Sequence, residues 1–527
     1  MANTPAAMTA PPLSAAAIAL NRFGLGARAD EAPPANPKNW LLSQFDAYQP
    51  MPAAWAAQPT SLAIAAELAE ERQQAIANAS NAPGASTSTA NAIANQASAA
   101  PGAAASRAPA SGAPNEAASG AASASDARKA TMQAANQAAN KAARMEARDT
   151  YRSAVNARVA SALSTPAPFI ERLVHFWSNH FAVSVDKGRV APFAGAFEME
   201  AIRPHVLGRF EDMLVAVERH PAMQLFLDQT RSVGPDSVAA MRAAQRNPDR
   251  KPGLNENLAR EIMELHTLGV RSGYTQDDVT EFARAMTGWS IAAAQGPQPD
   301  RAPPGAFVFR AQLHEPGTRT IMGRRYDQPG EGQTLAVLLD LSSSPATATH
   351  IATRLARHFV ADNPPPDVVA RLATAFMRSR GDLPTVYREL IDSEAAWSPV
   401  AAKFKSPWEW TISSLRGLDV REIGSVQPNA QMAPVLTQLG QQVWRPGSPA
   451  GYDDIAASWA APDALVRRVE IAQRFAARVG DRLDARSLGQ TLMAGSLSEP
   501  TQLAVSRAES ASTALALLLV SPEFQRR

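Results

Sequence analysis

Two polar stretches of the chain carry the residue types that metal and acid–base chemistry need. The first, Glu171 to Phe181, reads ERLVHFWSNHF. On a helix, Glu171, His175 and Asn179 fall at i, i+4 and i+8, away from the apolar stripe of Ile170, Leu173, Val174, Trp177 and Phe181. His180 follows Trp177 by three residues and Phe176 by four, so it points to the packed side and must find a partner there. A histidine so placed either bonds a carbonyl or carboxylate in the core or serves as a ligand. His175 and His180 lie about 140° apart on a regular helix, too far round for both to hold one ion.

The second stretch, Gly253 to Gly269, reads GLNENLAREIMELHTLG. Leu254, Leu258, Ile262 and Leu265 form its apolar face, and Asn257, Glu261 and Glu264 a carboxylate-bearing stripe. Glu256, Arg260 and Glu264 recur every four residues, which predicts an ion-pair chain on a solvated face. The sharper expectation is that Glu261 and Glu264 face a cleft. Two carboxylates three residues apart on a helix can bind a divalent cation or keep one carboxyl protonated. His266 ends the same helix, where a cation suits the dipole as well as a ligand suits a metal. His314 and Glu315 sit in a glycine-punctuated loop, the kind of segment that carries sites. His358 shares the Leu355/Phe359 side of its helix and is expected to be structural, and His220, before Pro221, to be a cap. Trp444, Tyr452 and Trp459 mark a Pro/Gly-rich stretch whose aromatics either anchor on the core or form a ligand platform.

These residues must be carried by helices. Apolar positions recur at helical period through most of the chain, and Thr275 with Asp278 has capping-box spacing. A long Ala-rich helix is expected over 128–163, starting near Ser125 or Asp126. The exception is 291–335, rich in Pro and Gly, where Phe307-Val308-Phe309 and Thr320-Ile321-Met322 are expected to form a small hairpin. The stretch 77–127 is mostly Ala, Ser, Asn, Gly and Pro, with too little apolar surface to offset ordering entropy, and reads as a disordered insertion. The fold class is mainly α. A single domain over 12–525 is expected, made of an N-terminal helical part (12–76), the insertion, a helical core with the His/Glu motifs (128–290), the β excursion and a C-terminal helical part (336–525).

Composition excludes several functions. With no cysteine among 527 residues, thiolate catalysis, disulfides and Cys-ligated metal are ruled out, so a metal site must use His, carboxylate and amide ligands. Lys+Arg 51 against Asp+Glu 49 speaks against a nucleic-acid binder. No P-loop, G-x-S-x-G, H-E-x-x-H or EF-hand pattern is found. No apolar run approaches a membrane span, and Arg22 follows rather than precedes the first apolar stretch, the wrong order for a signal peptide. The default expectation is a cytoplasmic protein, with co-export to the periplasm open if a partner carries it.

Several blocks resemble one bacterial family, the domain-of-unknown-function 1800 family. They are Asn21-Arg22-Phe23-Gly24-Leu25-Gly26, Phe176-Trp177-Ser178-Asn179-His180-Phe181, His220-Pro221-Ala222-Met223 with Leu227-Asp228, and Asn255-Glu256-Asn257 through Gly269. Gly273-Tyr274-Thr275, Thr287-Gly288-Trp289 and Ser521-Pro522-Glu523-Phe524 follow. The resemblance implies one mostly helical domain and no established reaction. It also implies a co-encoded sulfatase-like protein as a partner. Members often show His-Asp where this chain has His314-Glu315, and Trp near Tyr452. The leading expectation is a metal-dependent enzyme holding a divalent metal through His180, Asn257, Glu261, Glu264 and His266. Glu261, Glu264 and His314 are the catalytic candidates. The competing expectation is a non-enzymatic helical scaffold or chaperone for the sulfatase-like partner.

Overall fold

The computed structural model describes residues 11–80, 116–247, 253–292, 301–425 and 431–527. Its secondary structure is helical apart from two small antiparallel strand pairs, which matches the mainly α expectation. Most of the Ala/Ser-rich stretch expected to be disordered, 81–115, lies outside the described residues. The flanking helices, Ser61–Ser80 and Glu116–Ser164, run into its edges. The second of these starts at Glu116, nine or ten residues before the expected cap at Ser125 or Asp126, because Ala-rich sequence opposes helix extension only weakly.

Local rules set the helices that matter for the site. Pro168 opens the Pro168–His180 helix at a position where its missing N–H costs nothing. Capping boxes start two others: Thr275 with Asp278, as the spacing predicts, and Ser406 with Glu409. The Asn257–Glu261 helix continues as a π-turn over Ile262–His266, which shifts the angular position of every residue in it.

The two β-like pieces are both strands but pair with other partners. Phe307–Phe309 pairs with Trp289–Ile291, where the Trp289 and Phe307 rings meet at 5.0 Å. Arg319–Ile321 instead pairs with Arg324–Tyr326 across Met322 and Gly323. Both of those residues have positive φ, 50° and 75°, the geometry of a tight two-residue hairpin turn.

One contiguous apolar core joins the N-terminal block to the C-terminal helices. Phe23 stacks on Phe359 at 5.7 Å and meets Phe169 edge-on at 5.6 Å. The backbone beside it accepts two buried guanidiniums: Arg172 Nε donates to the Gly24 carbonyl at 2.7 Å and Arg416 Nε to that of Gly26 at 3.0 Å. Gly26 has φ 101°, and a Cβ there would meet Ser413 Cβ at 2.6 Å, so only glycine fits. No helix among the described residues is long and apolar enough to cross a membrane.

Candidate functional site: a charged cavity around His358

The residues of the Asn257–His266 segment take the solvated arrangement that their spacing allows. Arg260 bridges Glu256 at 3.0 Å and Glu264 at 3.8 Å. Asn257 is exposed, its backbone N–H donating to Asn255 Oδ1 at 3.0 Å. Glu261 is half-buried, and burial raises its carboxyl pKa against the opposing pull of His266.

His266 lies inside. The π-turn carries it to the interior, where Nδ1 donates to Glu218 Oε1 at 2.7 Å. His180 packs beside it with ring centroids 6.4 Å apart, and its Nε2 donates to the His266 carbonyl at 3.1 Å. Burial keeps the His180 ring neutral, so its Nδ1 is a lone pair, and both that atom and His266 Nε2 are buried without a hydrogen-bond partner. His314 serves a different region. Its Nδ1 donates to the Thr287 carbonyl at 2.9 Å, while buried Glu315 accepts from the Asp236 N–H at 2.7 Å. No hydrogen bond or ring contact among the described residues joins His314 to His180, His266, Glu261 or Glu264. Nor, among the described residues, do three or more His, Asp or Glu side chains form a group that could hold a metal ion.

A concave site lined by charge lies elsewhere, a cavity of about 220 Å³ between the Pro168–His180, Pro345–Phe359 and Pro407–Gly417 helices and the 441–454 loop. Its walls combine aromatic rings (Phe176, Trp408, Trp444, Tyr452) with charge. His358 Nδ1 lies 2.6 Å from Asp454 Oδ2, and Asp454 Oδ1 lies 3.2 Å from Lys403 Nζ. Burial works against the Asp454 charge, but His358 and Lys403 outweigh it and hold the carboxyl well below the usual range. A carboxylate can only accept, so Nδ1 carries the imidazole proton and Nε2 a lone pair. That Nε2 is buried and has no hydrogen-bond partner. Burial lowers the His358 pKa below 6.5, so the ring is neutral near pH 7.

His175 faces the same cavity with the opposite tautomer. Trp408 Nε1 donates to its Nδ1 at 3.1 Å, so the proton sits on Nε2, 3.7 Å from Glu171 Oε1. Glu171 is held by a two-pronged contact from Arg203 at 2.7 and 2.9 Å. Arg158 lies over the Trp408 ring at 4.3 Å and pairs with Glu198 at 2.9 Å. Glu409 takes Arg172 on one side and Arg527 at 2.8 Å on the other. The cavity's aromatics are anchors: Tyr452 Oη donates to the Gln442 carbonyl at 2.6 Å, and Trp444 Nε1 to Glu198 at 3.1 Å.

The Phe176–Phe181 block therefore serves the cavity more through Asn179 than through His180. Of the cavity residues, Arg354, Arg357, His358, Asp454 and Trp408 are not among the candidates that the sequence offers. One signal could have found three of them. The Pro345–Phe359 helix holds Arg354, Arg357 and His358 at i, i+3 and i+4 and no acidic residue at all.

Comparison with known proteins adds a family and no relative. No match was found among curated proteins or among solved structures. Residues 18–526 match the family described as a protein of unknown function, DUF1800, and since that span is nearly the whole sequence, the chain belongs to this family.

Proposed function

We propose that the chain is an enzyme whose cavity performs general acid–base catalysis, with His358 as the proton-transferring group and Asp454 as its positioning residue. The observation that carries this reading is the His358–Asp454 contact of 2.6 Å with Nε2 left as an unpartnered lone pair on a cavity wall. A neutral imidazole oriented by a carboxylate is poised to take a proton from a hydroxyl, a water or an acidic C–H. His175, Trp408 and Glu409 beside it are buried, and a drier surrounding strengthens each charge near the reacting group. Nitrogen-15 NMR of the labelled protein tests it without a known substrate. The expected result is a His358 ring protonated at Nδ1, titrating below 6.5. A ring protonated at Nε2 would overturn the proposal. Turnover by a panel of small esters and acids, lost in a folded His358→Gln protein, would identify the reaction.

A second reading keeps a divalent metal, carried by His180 and His266. Its support is local: each ring donates one N–H to an oxygen, as metal-ligating histidines do, and its second ring nitrogen is buried without a hydrogen-bond partner. It stands second because, among the described residues, no third His, Asp or Glu completes the group. Elemental analysis after mild dialysis, with thermal stability measured in added Zn, Mn or Fe, decides it. No bound metal and no stabilisation would remove it. A helical scaffold for the co-encoded sulfatase-like protein rests on the family resemblance alone, and is favoured if that protein co-purifies and His358→Gln changes no activity.

A further inference from the structure

The cavity holds charge that its own walls do not neutralise. Two carboxylates there are already engaged: Glu409 by Arg172 and Arg527, Asp454 by His358 and Lys403. Asp453, the remaining acid, is exposed and accepts from Ser458 Oγ at 2.9 Å. Two cations are left over. Arg357 uses only Nε, donating to the Asp362 carbonyl at 3.2 Å, and no carboxylate oxygen among the described residues lies within 4 Å of its guanidinium. Arg354 has no hydrogen bond or ion pair among the described residues. Both line the cavity on the helix that carries His358. Residues three and four apart on a helix are neighbours, so Arg354, Arg357 and His358 form one cluster on one face.

Resting on the acid–base reading of the same cavity, we propose that Arg354 and Arg357 are the recognition element for a doubly charged oxyanion, the phosphate group of a small substrate, held next to His358 Nε2. Guanidinium is the side chain suited to such groups, because it offers paired donors and never loses its charge near neutral pH. Two such cations without a carboxylate between them favour a dianion over a single carboxylate. The cavity volume of about 220 Å³ limits the ligand to a small molecule. The last turn of the helix favours a cation electrostatically, so Arg357 can stay in place while no ligand is bound.

The full-length chain is tested by thermal unfolding and calorimetry with inorganic phosphate, sulfate or acetate at matched ionic strength. Saturable stabilisation by phosphate and sulfate, with acetate weaker, is expected. Arg354→Gln and Arg357→Gln should each weaken the apparent affinity by about tenfold or more, the value of a charge-assisted hydrogen bond. Arg354→Lys is included in case the glutamine variant does not fold, and should retain part of the binding. His358→Gln should still bind the anions saturably, so failure of the catalytic reading would leave this result standing. No saturable effect in the wild type, or wild-type affinity in both Arg→Gln proteins, would overturn the proposal.

Discussion

The side-chain amide of Asn179 pairs with both backbone groups of Tyr452, 273 residues further along: Nδ2 donates to the Tyr452 carbonyl at 2.9 Å and Oδ1 accepts its N–H at 2.8 Å. The neighbouring Gly451 has φ 82°, and a Cβ there would overlap the Asn179 backbone carbonyl oxygen. This clamp sets where the loop delivers Asp454, two residues on.

Asn179→Ala is expected to lose about 1–3 kcal/mol of stability, since both Tyr452 backbone groups lose their partner. It should also shift the His358 imidazole resonances, because Asp454 is no longer held in register. Urea unfolding and the histidine NMR spectrum read the two effects separately. A stable variant with an unchanged His358 signal would show that the loop is positioned by something other than the clamp.

Asp454→Asn removes the charge that His358 and Lys403 share. Lys403 keeps Asp362 Oδ1 at 2.6 Å, and Asp454 retains some exposure, so the cost should sit near the low end for a broken buried pair, about 3 kcal/mol. The pKa of His358 should fall further, because the carboxylate is the contact that raises it against burial. A His358 titration unmoved by the substitution would show that Asp454 does not govern the ring.

Acid should destabilise the protein below about pH 6.5. Burial depresses the pKa of His175 and His180 well below 6.5, and holds His350 at about 4 with further help from Arg354. In the window between each folded pKa and 6.5 the unfolded chain binds protons that the folded chain does not, so stability falls as pH falls. His350 alone accounts for roughly 3 kcal/mol between pH 6.5 and 4. His350→Gln, whose amide can still donate to the Leu265 carbonyl, should flatten that part of a stability–pH profile. An unchanged profile would assign the acid sensitivity to other groups.

The periodicity of the chain is enough to read the helices, the Thr275–Asp278 capping box and the Glu256–Arg260–Glu264 chain, because all three depend on residues within one or two turns. The cavity depends on partners far apart. His358 shares a helix side with Leu355 and Phe359, and nothing near it in sequence announces Asp454, 96 residues on. The π-turn hides His266 for a different reason. The spacing predicts a regular helix through Ile262–His266, and the extra residue in that turn moves His266 to the buried pair with Glu218 and away from the Glu261/Glu264 stripe.

Lys405 offers a test of how the interior tolerates charge. It is buried, its Nζ donates to Ser413 Oγ at 3.2 Å and lies 4.2 Å from the Phe524 ring centroid. Burial pushes its pKa down to about 7, with Arg172, Arg527 and Arg468 adding to the effect and Glu409 opposing it. The folded state therefore sheds a proton that the unfolded state keeps up to its ordinary 10.5, and stability should rise with pH from about 7 to 10.5. Lys405→Met keeps the volume and removes the charge. It should raise stability at pH 7 by a few kcal/mol, on the order expected for relieving a buried cation of this shift. The gain should shrink toward zero as pH approaches 10.5. A destabilised Lys405→Met protein at pH 7 would show instead that the Ser413 bond and the contact with Phe524 outweigh the cost of burying the ammonium.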